Sequence, residues 1–239
     1  SPRPRPTRDP MEFLLDGLIT AFRLLLGGDA ETYSAIAVTL RSSGYAMAVS
    51  LLLGIPLGFG LGHFDFRGKR PLRLVVDTLL ALPTVFIGLL VYAFLTQRGP
   101  LGELGLLFSV PAMAAGQAIL ALPVVVALTA TAVESLDAKL RVTLISLGAG
   151  RRQLFFSTLW EARHGILVAG VTAYGRVMTE VGIAMMVGGN IKWHTRTITT
   201  AIALETNKGL FGMGVALGIV LLAIAFGVNL AVNFLRRRS

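Results

Sequence analysis

The sequence contains no cysteine and only three histidines among 239 residues. The absence of cysteine excludes disulfide bonds, thiolate metal sites and a cysteine nucleophile. The histidines (His63, His164 and His194) are too far apart to form a metal-ligating pair of short spacing. We therefore expect a fold without disulfides and a chain without a metal site.

Two signatures of common enzymes are also missing. No G-x-x-x-x-G-K-[ST] segment is present to hold a nucleotide phosphate, and no G-x-S-x-G turn is present to expose a nucleophilic serine. These absences predict that the chain is not an enzyme and has no catalytic residues. If ATP drives its function, another chain hydrolyses it.

Charged residues are scarce, at 15% of the chain, whereas hydrophobic residues reach 54% and the mean hydropathy is +0.72. This composition indicates an integral membrane protein. The net charge of +9 comes from basic residues beside apolar runs, where such residues orient the chain and contact anionic lipid headgroups. Aromatic residues are not interleaved with them as nucleic-acid binding requires, so we expect membrane lipid and no nucleic acid as a partner.

The N-terminal region divides at Met11. Residues 1–10 (SPRPRPTRDP) are interpreted as a remnant that precedes the natural start. Residues 11–27 have apolar side chains on one helical face and Glu12, Asp16 and Arg23 on the other. With three charges in about 17 residues, this segment is predicted to lie in the membrane interface, with a first transmembrane helix as the alternative.

The rest of the chain predicts one all-α transmembrane domain over 11–239 with five spans. They lie at about 34–64, 74–96, 106–133, 166–188 and 210–234. The basic segments 65–73 and 136–165 and the C-terminal tail are expected in the cytoplasm, so 97–105 and 189–208 face outward. Two G-x-x-x-G pairs, Gly54/Gly58 and Gly214/Gly218, predict close helix packing in a bundle or a dimer.

Segment 136–165 is a long polar interruption that still has helical apolar spacing. It carries five basic residues: Lys139, Arg141, Arg151, Arg152 and Arg163. A basic, helical connection between two spans is more than a tether, and we expect it to be held by a partner.

A second set of candidates lies in and after the fourth span. Arg176 and Glu180 are four residues apart, which predicts either a structural ion pair or a pair bordering a polar pathway. Beyond them Met185 and Met186 could act as a gate or pack in the core, and Gly188 and Gly189 could unwind the helix end before Asn190. The following loop, 190–208, offers cations and threonines that could receive an anion.

The motif Ser146-Leu147-Gly148-Ala149, followed by Arg151-Arg152-Gln153, resembles the EAA loop of ATP-binding-cassette importer permeases. Gly148 falls on the motif glycine, but Val142-Thr143-Leu144 stands at the E-A-A positions, so the usual acidic contact to the ATPase is missing. By this resemblance Arg141, Ser146, Leu147, Gly148, Ala149, Arg151 and Arg152 form the contact to the ATPase, with the three arginines in place of the acid.

A longer match extends from Gly175-Arg176 through Glu180 and Gly188-Gly189-Asn190 to Thr195-Arg196-Thr197. It resembles the molybdate, sulfate and tungstate permeases, and MMVGGNI…HTRTITTAIALETNKG is most similar to the tungstate group. The resemblance implies a type I importer in a prokaryotic plasma membrane: two copies of the chain, two cytoplasmic ATPase subunits that bind ATP and Mg, and an extracytoplasmic oxyanion-binding protein. It also implies a coupling helix at about 138–148.

Two other functions are weighed against this one. A molybdate or sulfate importer permease would share the same features, because all three substrates are tetrahedral dianions. An ion-coupled secondary transporter would be expected to show repeated halves, and this chain has no repeat.

Overall fold

The computed structural model describes residues 10–136 and 143–238, and these residues form helices with no strand among them. The prediction of an all-helical fold is confirmed. The α-helices are α1 (Pro10–Leu26), α2 (Ala30–His63), α3 (Lys69–Leu79), α4 (Thr84–Leu95), α5 (Val110–Glu134), α6 (Arg151–Glu161), α7 (Arg163–Met178), α8 (Gly182–Gly188), α9 (Ile198–Asn207) and α10 (Phe211–Arg238).

Three helices of the described chain, α2, α5 and α10, are long and apolar enough to cross a bilayer alone. Two further spans are broken: α3 and α4 meet at 94°, and α7 and α8 meet at 57°. With 12 residues α4 is about 18 Å long, which is shorter than the hydrocarbon layer of roughly 30 Å. A span is therefore counted only when the two helices of a bent pair are taken together. Spans were predicted at about 74–96 and 166–188, and the structure divides each of these stretches between two helices.

Local chemistry explains both breaks. Pro83 precedes α4 and has no backbone N–H to continue the hydrogen-bond ladder of α3. At the second break the side chain of Glu180 accepts a hydrogen bond from the backbone N–H of Ile183 at 3.1 Å. A side chain that captures a backbone donor in this way gives the chain an alternative to helix and starts α8 afresh.

The core of the bundle is the contact between α2 and α5, and glycines allow it. A Cβ added at Gly54 would lie 2.8 Å from Val125 Cγ1, and one at Gly58 would lie 2.6 Å from the carbonyl oxygen of Val126. The pair predicted for a bundle or a dimer therefore packs within the chain. In the second pair Gly214 packs against Thr206, whereas Gly218 has open space beside it.

Helix α1 packs along α10 through small residues. Gly17 lies against Val215, and Ala21 is buried in a cluster with Ala35, Ala216 and Leu217. The large apolar side chains Leu15, Leu18, Ile19, Phe22 and Leu26 are exposed on the other side. The face of α1 that is turned away from α10 is therefore apolar, and the position of this helix in the membrane interface stays a prediction.

Candidate coupling and translocation sites

The segment singled out for coupling ends in an exposed turn. Residues 143–146 are helical, and the turn closes with hydrogen bonds from Gly148 N to Ile145 O and from Ala149 N to Leu144 O, each 3.0 Å long. Gly148 has a φ of +79°, as expected for the left-handed residue that ends a helix in this motif. Ser146, Leu147, Gly148 and Ala149 therefore lie together at one tip, where Leu147 is 78% exposed and Ile145 is 54% exposed.

The predicted arginines are not all gathered at this tip. Arg141 lies outside the described residues, Arg151 begins α6, and Arg152 is exposed on the first turn of α6. The backbone N–H of Gly150 donates to Gln153 Oε1 at 2.9 Å and fixes the start of this helix.

An aromatic cluster fastens the coupling segment to the bundle. The ring of Phe155 on α6 meets Phe59 on α2 edge-on at 4.5 Å between centroids, and Phe59 stacks on His63 at 4.9 Å. Val133 near the end of α5 and Ala162 complete the buried cluster. This cluster packs α6 against the ends of α2 and α5.

Ion pairs between α3 and α5, which were not predicted from the sequence, form a second attachment near the coupling segment. Glu134 on the last turn of α5 accepts from Lys69 at 3.3 Å and from Arg73 at 3.4 Å, and Arg73 also donates to Thr131 Oγ1 at 2.7 Å. These bonds attach α3 to α5 just before the coupling segment. The signal in the sequence was a lone carboxylate at the end of an uncharged span, opposite a loop rich in cations.

Arg176 and Glu180 do not form the predicted ion pair. Arg176 Nη2 donates to the carbonyl oxygen of Leu80 at 3.0 Å, whereas Glu180 Oε1 accepts from Ile183 N. The four-residue spacing fails because α7 ends at Met178, before it reaches Glu180. Each side chain instead satisfies backbone at a break, Arg176 at the α3–α4 break and Glu180 at the α7–α8 break.

The two breaks are neighbours in space. A Cβ at Gly182 would lie 3.2 Å from both Glu180 Oε1 and Thr84 Oγ1, the side chain that begins α4. Thr199 near the start of α9 also donates to the carbonyl oxygen of Glu180 at 3.0 Å. The starts of α4, α8 and α9 thus surround Glu180, which is only 7% exposed. A buried carboxylate among positive helix ends is electrostatically favourable.

The segment interpreted as an outward loop, 190–208, is largely part of the bundle. Residues 198–207 form α9, and four threonines are buried: Thr195, Thr197, Thr199 and Thr200. Their hydroxyls bond to protein: Thr195 Oγ1 donates to Gly188 O, and Thr199 Oγ1 donates to Glu180 O. The backbone N–H of Ile198 also donates to Thr39 Oγ1 on α2 at 3.0 Å. These threonines therefore hold α9 in place and are not available to receive an anion.

The predicted gate residues occupy α8 and its end. Met186 packs against Gly88 on α4, whereas Met185 is 38% exposed on another side of the helix. Gly188 touches the sulfur of Met113, and Gly189, with a φ of +70°, caps α8 through its N–H to Met185 O. The two methionines therefore face different surroundings, and Met186 alone packs against α4.

An ionic cluster at the start of α2 was not predicted. Glu31 accepts from Arg196 and, at 2.6 Å, from Lys192, and Arg196 Nε donates to Asn190 Oδ1 at 3.1 Å. It ties α2 to the turn that follows α8. Two of the cations expected to receive an anion already share one carboxylate, so their charge is partly neutralised.

Comparison with known proteins supports this reading of the fold. The chain is 47% identical over 227 residues to a tungstate uptake system permease protein of Campylobacter jejuni, covering 95% of each chain. It is 37% identical to the corresponding protein of Peptoclostridium acidaminophilum, over 95% of this chain and 99% of that one.

Among solved structures, a bacterial importer of the polysaccharide alginate superposes with a TM-score of 0.75 at 21% identity, over 97% of this chain and 90% of that one. This likeness confirms the predicted type I importer permease fold. Residues 54–239 match the family of binding-protein-dependent transport system inner membrane components. The chain belongs to that family and is a multi-pass protein of the inner membrane.

Proposed function

We propose that this chain is the membrane permease of an ATP-driven importer that carries tungstate into the cell. Two copies form the pathway, two cytoplasmic ATPase subunits bind ATP and Mg, and an extracytoplasmic binding protein delivers the anion. The chain itself hydrolyses no ATP. The observation that carries the proposal is the 47% identity, over 95% of both chains, to a tungstate permease. Molybdate and sulfate are less favoured, because both relatives described above transport tungstate by name.

The exposed tip at Ile145–Gly148 supports the coupling step. Its apolar side chains, Ile145 and Leu147, offer a surface that an ATPase subunit can bury without any acidic residue. Arg152 lies exposed nearby, and Arg141 and Arg151 are proposed to add charge to the same contact. The aromatic cluster at Phe59 and Phe155 then carries the motion of the ATPases to α2 and α5, which move as rigid levers.

Arg176 is the proposed source of positive charge in the pathway. Its guanidinium bonds to a backbone carbonyl and not to a carboxylate, so its charge is not cancelled by Glu180. It is half-buried, where a charge is screened less than in water. The adjoining gate is proposed to consist of Glu180, Met185, Met186, Gly188, Gly189 and Asn190. Glu180 lies at the break before the half-helix α8, and the others lie on α8 or in the turn that ends it.

Uptake by reconstituted vesicles tests the function. Vesicles with the permease, its ATPase, external binding protein and internal ATP are expected to accumulate tungstate, and a tenfold excess of molybdate or sulfate should compete poorly. Omitting the ATPase is expected to abolish accumulation. Tungstate accumulation by the permease alone would contradict the ATP-driven mechanism, and equal competition by molybdate would contradict the choice of substrate.

A further inference from the structure

The loop between α2 and α3 carries positive charge that no carboxylate among residues 10–136 and 143–238 compensates. Lys69 pairs with Asp65 at 3.4 Å and with Glu134, and Arg73 pairs with Glu134 and with Asp77 at 3.5 Å. The nearby carboxylates are therefore engaged. Arg67 and Arg70 are both exposed, and no carboxylate among the described residues pairs with either of them.

The same loop is surrounded by exposed apolar side chains. Phe64 is 56% exposed and Phe66 is 45% exposed, on either side of Asp65. On α3 the side chains of Leu72 and Leu74 are 46% and 68% exposed. A surface of this kind is unfavourable in water and favourable against lipid tails.

The position of the loop puts it at the membrane surface. It joins the end of α2, a candidate span, to the broken span α3–α4, so the chain turns back into the bilayer here. A hollow of about 340 Å³ opens at this loop, and its lining residues are Asp65, Phe66, Gly68, Lys69, Arg70 and Pro71. Arginines and phenylalanines at this depth face both the phosphate layer and the upper part of the tails.

We propose that Arg67 and Arg70 bind the phosphate of an anionic membrane lipid, with Phe64 and Phe66 inserted beside its acyl chains. Guanidinium groups bind phosphate oxygens in a bidentate manner, which suits two arginines without internal partners. A free phosphate would match the arginines but would leave the apolar surroundings uncovered. The lipid would brace α3 next to Glu134, where α3 is attached to α5 at the start of the coupling segment.

The test measures the thermal unfolding midpoint of the full-length chain in detergent with added lipid. Phosphatidylglycerol is expected to raise the midpoint more than phosphatidylcholine does. The double variant R67Q/R70Q is expected to lose more than half of this difference between the lipids. The charge-matched control R23Q/R98Q, at two other exposed arginines, is expected to keep it.

Two further measurements distinguish a lipid from free phosphate and a specific effect of the arginines from a loss of folding. Glycerol 3-phosphate and inorganic phosphate are expected to give no comparable shift, and an equal shift would overturn the lipid as the ligand. If R67Q/R70Q does not accumulate, R67Q and R70Q each retain one arginine, and each is expected to lose part of the difference. An unchanged response in these variants would overturn the proposal.

Discussion

At each of the two helix breaks, one side chain forms a hydrogen bond with a backbone group that the broken helix leaves free. Arg176 satisfies the carbonyl of Leu80, and Glu180 satisfies the N–H of Ile183. Leaving either backbone group buried and unpaired costs about 1–3 kcal/mol. Arg176 therefore combines a structural role with the positive charge proposed for the anion pathway, and the two roles respond differently to substitution.

Replacing Arg176 separates charge from hydrogen bonding. Arg176→Gln keeps a donor for Leu80 but removes the charge, whereas Arg176→Lys keeps the charge. We expect the glutamine variant to take up tungstate about tenfold more slowly, equivalent to ~1.4 kcal/mol, and the lysine variant to retain most of the activity. Uptake rates and unfolding midpoints of both variants provide the measurement. Equal uptake by the two would show that the charge is not used.

Gly148 is the residue-scale test of coupling. Its φ of +79° disfavours side chains other than asparagine, and the space beside it is open. Gly148→Glu is expected to leave the chain in the membrane and to reduce ATPase co-purification several-fold, whereas Gly148→Asn should have little effect. Gly209→Glu is the matched control, since Gly209 has a φ of +77° and open space as well. A full ATPase complement on Gly148→Glu would refute the assignment of the tip.

At the scale of helices, the broken spans α3–α4 and α7–α8 pack against the continuous helices α2 and α5. Helices α2 and α5 pack through a glycine face, whereas α4 and α8 are short pieces packed on α5 and on each other. Gly116 brings Ile183 of α8 against α5, and Gly88 brings Met186 against α4. The breaks give the second and fourth spans points where the chain can bend, next to a rigid core.

Alanine substitutions at two glycines of α2 are expected to change the stability of the chain in opposite directions. A Cβ at Gly58 meets the carbonyl of Val126 and the side chain of Thr129, so Gly58→Ala is expected to destabilise the chain by about 1–3 kcal/mol. Gly60 has open space, and Gly60→Ala should stabilise the helix by roughly 0.5–1 kcal/mol. Unfolding midpoints measure both effects, and similar shifts in the two variants would contradict the packing of α2 on α5.

At the scale of the molecule, the basic connections lie at one end of the bundle. The ends of α2 and α5, the start of α3, and α6 meet through the Phe59–Phe155 and Glu134 contacts. The turn at Gly102–Leu104 lies at the far end of α4. The side proposed to bind the ATPase is therefore also the side of the cluster around Glu134 and Phe155.

The absence of cysteine makes this topology simple to test. Glu103→Cys and Glu161→Cys each place one exposed thiol in a chain without background labelling. We expect a membrane-impermeant maleimide to label the first in intact cells and the second only after permeabilisation. The wild-type chain serves as the unlabelled control. Labelling of Glu161→Cys in intact cells would reverse the assigned orientation.

Composition and spacing were enough to predict a helical membrane protein, because long apolar runs have few alternatives in a bilayer. The turn at Ser146–Ala149 was singled out by its resemblance to the EAA loop, and the left-handed φ of Gly148 is typical of a glycine that ends a helix. Periodicity predicted the wrong partner for Arg176, because it assumes a continuous helix and the helix ends at Met178. The Glu31–Arg196 contact joins residues 165 positions apart, which spacing within one element does not reveal.

The sequence by itself determined the class of the protein and its all-helical fold. Each of these depends on local composition or local backbone preference. Only the tertiary structure decided that two spans are broken, that the threonines after α8 are buried, and that Arg176 and Glu180 hold separate breaks. These features depend on which backbone groups from distant helices come within hydrogen-bonding distance, and only the packed bundle determines that.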